Sequence, residues 1–226
     1  MASRHEIKSN TDTGFLKLIA MACMLVDHLG AVVYPQFPVM RLIGRIAFPL
    51  FAYGIAVGAA MTRHPRQYIA RVAALALVSQ PLYAVALGHT NEAMYAVPFA
   101  QHPLRALCTF YMESWEKPSI LLALLLGLLL LLCLREKQYV PALLIYVLCA
   151  RFSAELDYGV SGVGLMVVFY LFLEHPALCF AASTAYMLVW SADGHGYPIF
   201  GMEFGMRIFA TPAVMLASLP IRRKTR

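Results

Sequence analysis

Apolar residues run along most of this chain in long stretches broken by short polar punctuation. Reading runs bounded by charge, Pro and Gly predicts about eight membrane crossings, near 14–34, 40–62, 67–88, 119–135, 138–150, 159–174, 176–192 and 198–219. The fifth is short for a span. The connection at residues 89–117 mixes aromatic, basic and acidic side chains as a segment lying at the membrane interface does, so part of it is expected to be a surface helix. No internal repeat or low-complexity linker divides the chain. The expected architecture is all-α: a polytopic helical bundle forming one integral membrane domain over residues 1–226.

Composition sharpens this picture. Of 226 residues, 61% are hydrophobic and only 13% charged, far from soluble usage. The net charge of +6 does not point to nucleic acid, because Lys and Arg sit at the ends of apolar runs. Arg4, Lys8, Arg63, Arg66, Arg135, Lys137 and the basic tail outweigh Arg105, Lys117 and Arg151, which predicts both termini on the cytoplasmic side. The opening MASRHEIKSNTDTG is polar for longer than a signal peptide's basic region and is expected to stay in the mature chain. Five cysteines are scattered without paired spacing, so neither a metal site nor a redox pair is expected.

Ionisable groups inside crossings are costly and are functional candidates by default. On the first predicted helix, Lys17 and His28 lie eleven positions apart, within about 20° of one face and about 16 Å along the axis. Lys17 falls near the cytoplasmic mouth and can alternatively snorkel to headgroups. Asp27 sits next to His28 but points about 100° away, so it is expected to pair elsewhere, for example with Arg45. The second crossing opens RLIGRIAFPLF, with Arg41 and Arg45 one turn apart and Pro49 freeing the Arg45 carbonyl. Arg41 can alternatively anchor the helix at the headgroups.

TRHPRQYIARV gathers Arg63, Arg66 and Arg71 with Tyr68 on the cytoplasmic side, a forked-cation cluster suited to nucleotide phosphates, although a positive-inside loop also calls for arginine. AELDYGVSG places Glu155 and Asp157 where they can cap the sixth helix or neutralise Arg41, Arg45 or His28. In the last crossing Glu203 and Arg207 are spaced for an intrahelical ion pair.

The runs LKLIAMACMLVDHLG, RLIGRIAFPLFAYGIAVG, TRHPRQYIARVAALALVSQPLY and DYGVSGVGLMVVFYLF resemble, in order and spacing, the TraX family of bacterial membrane proteins. The resemblance covers residues 15–88 closely and 118–174 more loosely. Where relatives usually open the fourth crossing with Asn, this chain has KPSILLAL with Ser119. The family's namesake acetylates the N-terminal amine of conjugative pilin, so the resemblance implies acetyl-CoA-dependent N- or O-acetyl transfer by an integral membrane enzyme. A more distant similarity links Lys17-x(10)-His28 to the Arg-x(10)-His pattern of membrane-bound acyltransferases that modify surface sugars, with Lys in place of Arg.

Together these readings expect acetyl-CoA, and no metal, to be used on a pilin-like peptide or an envelope glycan. His28 would be the general base, oriented by Asp157 or Asp27, with Arg45 and Arg41 stabilising the oxyanion. Lys17, Arg63, Arg66, Tyr68 and Arg71 would hold the donor, and Gln80 would serve as substrate contact or support. The rival classes are a proton-coupled transporter or channel that uses Asp27, His28, Arg45 and Asp157 as a relay, and a non-enzymatic envelope assembly factor. An oligomer is compatible with each.

Overall fold

A computed structural model describes residues 8–9, 11–153, 158–192, 197–199, 202–205 and 209–219. Its helices are α1 (Thr13–Val32), α2 (Pro38–Gly44), α3 (Ala47–Met61), α4 (Pro65–Ala86), α5 (Pro103–Glu113), α6 (Ile120–Arg135), α7 (Tyr139–Arg151), α8 (Gly159–Leu171), α9 (Pro176–Ala192) and α10 (Thr211–Ser218). Short 3-10 turns occupy Glu92–Tyr95 and Ser114–Glu116.

Among the described residues, three units are long and apolar enough to cross a bilayer: α1 with 20 residues, α2 with α3 at 24, and α4 with 22. A fourth is available if Pro103–Glu116 and Ile120–Arg135, bent by 70°, form one broken span. The helices α7, α8 and α9 have 13, 13 and 17 residues, short of the ~20 that a straight crossing needs. The chain is thus a helical membrane protein, with Leu18, Leu25, Leu75, Val78, Leu82 and Leu143 among its outward apolar side chains.

The last predicted crossing is not a continuous helix. Strands β1 (Tyr197–Ile199) and β2 (Met202–Phe204) pair antiparallel, with Pro198 opposite Glu203, and the helix α10 that follows has eight residues. Pro198, Gly201, Gly205 and Pro212 within that stretch explain the loss, since each disfavours helix propagation. Glu203 is in a strand and not in the expected helix, and its expected partner Arg207 lies outside the described residues.

At the centre stands α3, whose Phe48, Leu50, Tyr53, Ala56 and Ala59 are all buried. Its small residues let α1, α6, α8 and α10 pack against it. Tyr53 meets Phe169 of α8 edge-on at 5.3 Å. The C-terminal carbonyls of α3 are claimed by Arg135, whose Nη1 donates to the oxygens of Ala59 at 3.0 Å and Thr62 at 2.9 Å. Arg135 therefore caps the C-terminal end of α3.

Proline shapes two helices near the site. The break between α2 and α3 falls at Arg45 and Ile46, where Pro49 cannot donate to the Arg45 carbonyl. In α4, Pro81 likewise frees the carbonyl of Leu77, and the Tyr111 hydroxyl of α5 donates to it at 3.1 Å.

Candidate functional site

A cavity of about 670 Å³ opens between α1, the α2–α3 break, α4 and the start of α6. Its polar lining comes from Asp27, His28, Arg41, Arg45, Ser79, Tyr83, His89, Ser119 and Tyr158, and the rest is apolar, including Met24, Leu29, Phe51 and Leu124. The fold thus brings together four residues singled out in the sequence: His28, Asp27, Arg41 and Arg45.

The α1–α2 corner sets the first three. Residues 33–37 turn the chain tightly, the N–H groups of Val33 and Tyr34 both bonding to the Leu29 carbonyl at 2.9 Å. Pro38 starts α2 at a position where its missing N–H costs nothing. The two helices then touch through glycine: a Cβ on Gly30 would overlap Met40, and one on Gly44 would overlap the Asp27 carboxylate. This close approach puts Arg41 Nη1 2.6 Å from Asp27 Oδ2. Asp27 therefore pairs with Arg41, not with Arg45 as expected from the sequence. Both arginines share one face, but Arg41 is a turn nearer the corner and level with Asp27.

Arg45 is left as a cation without a carboxylate within 4 Å among the described residues. Its Nη1 makes a long contact of 3.5 Å to the Tyr158 hydroxyl, and its buried Nε has no acceptor among the described residues. The Tyr158 ring is fixed by stacking on Phe48, 4.0 Å away and nearly parallel. That placement uses a left-handed backbone at Tyr158, φ 64°, followed by Gly159 at φ 52°. The first turn of α8 is capped by Ser153, whose Oγ accepts from Val160 N at 3.0 Å. Asp157, expected to cap this helix or orient His28, lies outside the described residues, as does Glu155.

His28 is half-buried, and no described residue hydrogen-bonds to its imidazole. The residue lines the cavity. A second imidazole, His89, was not singled out in the sequence. It follows a Schellman motif ending α4: Gly88, at φ 69°, donates to Val85, and His89 N donates to Ala84 at 2.8 Å. Its ring packs 5.5 Å from that of Tyr83, which also lines the cavity. The signal was ALGH, a helix end with glycine followed directly by a titratable side chain.

Gln80 does not line the cavity. Fully buried, it clasps the 70° bend before α6, donating from Nε2 to the carbonyls of Ser114 at 2.5 Å and Lys117 at 3.1 Å. Its Oε1 accepts from Ser119 N at 2.8 Å. Of the two roles expected for it, support is the one this geometry serves.

The five residues expected from the sequence to hold the donor lie elsewhere. Lys17 extends over α3 at Gly54, with Cε 3.7 Å from where a Cβ would stand, and the Tyr68 hydroxyl occupies the space over Gly58. Those glycines lie one turn apart, so Lys17 and Tyr68 lean on one stripe of α3. Arg63, Arg66 and Arg71 are exposed near the start of α4. None of these five lines the cavity. Among the described residues, no cluster of His, Cys, Asp and Glu could hold a metal ion.

A family model described as TraX protein matches residues 12–216, nearly the whole chain. The chain belongs to the TraX family. The TraX match runs through the last two predicted crossings, beyond the motifs recognised by eye, and includes every cavity residue named above. Among curated relatives, the probable fimbrial assembly protein FimC, serogroup H1, of Dichelobacter nodosus is 24% identical over 165 residues, covering 71% of this chain and 60% of that protein. An uncharacterized protein, RP591, of Rickettsia prowazekii is 47% identical over 38 residues, 17% of this chain and 15% of that one. The TraX chain thus spans less than two thirds of either relative's length. No solved structure matches it at a significant level.

Proposed function

We propose that this protein is a membrane acyltransferase that moves an acetyl group from acetyl-CoA to an amine or hydroxyl acceptor, with His28 as general base. The observation that carries the reading is an imidazole unbonded to any described residue, facing a largely apolar cavity beside the cation Arg45. That combination suits acyl transfer: a base takes a proton from the nucleophile, and a fixed positive charge in a dry site stabilises the oxyanion.

On this reading the CoA phosphates rest on Arg63, Arg66 and Arg71, with Lys17 and Tyr68 beside them. The pantetheine follows the α1 stripe from Lys17 through Met21 and Met24 to His28. The acceptor nitrogen or oxygen attacks the thioester carbonyl as His28 takes its proton, and the departing thiolate then receives that proton. The Asp27–Arg41 pair holds the α1–α2 corner, and Asp157 is the proposed partner that orients the imidazole. About eight crossings, both termini cytoplasmic, in a bacterial inner membrane would give acetyl-CoA access from inside. The acceptor is a pilin-like N-terminus or an envelope glycan; the name of the Dichelobacter relative supports the former.

The test is transfer of radiolabelled acetyl from acetyl-CoA by purified protein in lipid nanodiscs, to water or to a peptide with a free amino terminus. Label transfer by wild type and its loss in a folded His28→Ala variant are expected. Undiminished transfer by that variant would end the assignment. The relative's name also favours a second reading, a non-catalytic assembly factor. It predicts that wild type transfers nothing while charge substitutions impair folding.

A further inference from the structure

Ser119 is the N-cap of α6, a position where a serine hydroxyl ordinarily accepts from an N–H two or three residues on. Here the side chain makes no capping bond. The residue is 2% exposed, its Oγ has no hydrogen-bond partner among the described residues, and it lines the cavity that holds His28 and Arg45. Burying an unpaired hydroxyl is unfavourable, so a helix start that forgoes its own cap calls for another occupant.

The backbone around it is held firmly. Ser119 N donates to Gln80 Oε1 at 2.8 Å, and the Ser119 carbonyl accepts from Leu122 N at 3.0 Å. Beyond it, the N–H groups of Ile120 and Leu121 open a helix of 16 residues, where no intrahelical acceptor exists and the helix dipole is positive. Both residues line the same cavity. A serine hydroxyl and the positive end of a helix thus stand at a largely apolar pocket that Arg45 also lines, which is the chemistry that receives an oxygen gaining negative charge.

We propose that Ser119 Oγ and the first N–H groups of α6 form the seat of the acyl carbonyl oxygen, which makes Ser119 a catalytic residue. This rests on the acyl-transfer reading above. As the acceptor's nucleophilic atom bonds to the carbonyl carbon and gives its proton to His28, the carbonyl π pair moves onto the oxygen. That oxygen is held by the Ser119 hydroxyl and the helix N–H groups, beside the charge of Arg45. When the pair returns, the C–S bond breaks and the sulfur leaves as a thiolate, which takes the proton back from His28. Nothing is oxidised or reduced.

The experiment compares wild type, Ser119→Ala and Ser119→Thr in nanodiscs, measuring radiolabelled acetyl transfer from acetyl-CoA to a free-amine peptide and to water, with thermal unfolding alongside. Ser119→Ala is expected to lose about ten- to hundredfold in kcat, as loss of an oxyanion donor does. Its KM for acetyl-CoA and its unfolding temperature should hold or improve, because only an unpaired hydroxyl has gone. Ser119→Thr, which keeps the hydroxyl, should retain most of the rate. Wild-type kcat in Ser119→Ala would overturn the seat and leave the acyl-transfer reading standing. Parallel loss of stability and rate, unrescued by Thr, would also overturn it by showing a structural role. A wild-type protein that transfers acetyl neither to peptide nor to water ends both readings together.

Discussion

Arg41 Nη1 stands 2.6 Å from Asp27 Oδ2 and 3.4 Å from the Asp27 carbonyl oxygen, so one nitrogen ties a side chain and a main chain of α1 to α2. The carboxylate is 15% exposed and the guanidinium 34%. Removing either partner strands a mostly buried charge. Arg41→Ala should cost roughly 2–3 kcal/mol, less than the 3–5 of a fully buried pair because Arg41 is partly exposed. Asp27→Asn with Arg41→Ala should cost less than the sum of the two. A double-mutant cycle on unfolding in detergent measures this, and simple additivity would count against the coupling.

Gly44 predicts a steric version of the same result. A Cβ there overlaps the Asp27 carboxylate, so Gly44→Ala should push Asp27 off Arg41 and open the α1–α2 corner. Expected is a destabilisation of about 1–3 kcal/mol, typical of overpacking, read as a lower unfolding temperature. Gly14→Ala on α1, where the nearest atom stands at an ordinary 3.5 Å, is the control and should be close to neutral.

Changing His28 separates chemistry from assembly. His28→Ala should fold and insert with near wild-type yield, since no described residue hydrogen-bonds to the imidazole. Acetyl transfer should fall by about 10²–10⁴, the usual worth of a general base. Single-turnover transfer in nanodiscs measures it.

At the other end of α1, Arg66→Ala and Arg71→Ala should weaken acetyl-CoA binding and leave binding of acetyl-pantetheine, which lacks the nucleotide, unchanged. Titration calorimetry at two salt concentrations checks this, because exposed arginines on phosphate lose affinity as salt rises. Equal losses for both ligands would remove the arginines from phosphate binding.

Pro81 and Tyr111 make a reversible pair. Tyr111→Phe leaves the Leu77 carbonyl unclaimed and should cost about 0.5–1.5 kcal/mol. In a Pro81→Ala background the helix can supply its own donor, so the same change should cost much less. Unfolding of the four proteins decides it.

Helix positions were legible because the bilayer demands long apolar runs: α9 falls where the pattern put it, and α1 and α6 begin within one residue of their predicted starts. Residues 198–219 misled, since their apolar content hides four helix breakers. The Asp27 partner was misassigned because spacing on one helix says which face an arginine occupies but not how deep a neighbouring corner sets it. Only the close packing at Gly30 and Gly44 supplies that depth. His89 escaped notice in a stretch read as interfacial, and Tyr158 because its role depends on a left-handed backbone. The grouping of His28, Arg41 and Arg45 was readable, since charge inside apolar runs has few places to go.

Gln80 sets an order of events during synthesis. Its amide bonds with Ser114, Lys117 and Ser119, residues made 34 to 39 positions later. At about 5–20 residues per second, α4 leaves the ribosome some seconds before the bend that satisfies it exists. During that interval the newborn α4 carries an amide, next to Pro81, whose three partners have yet to be made.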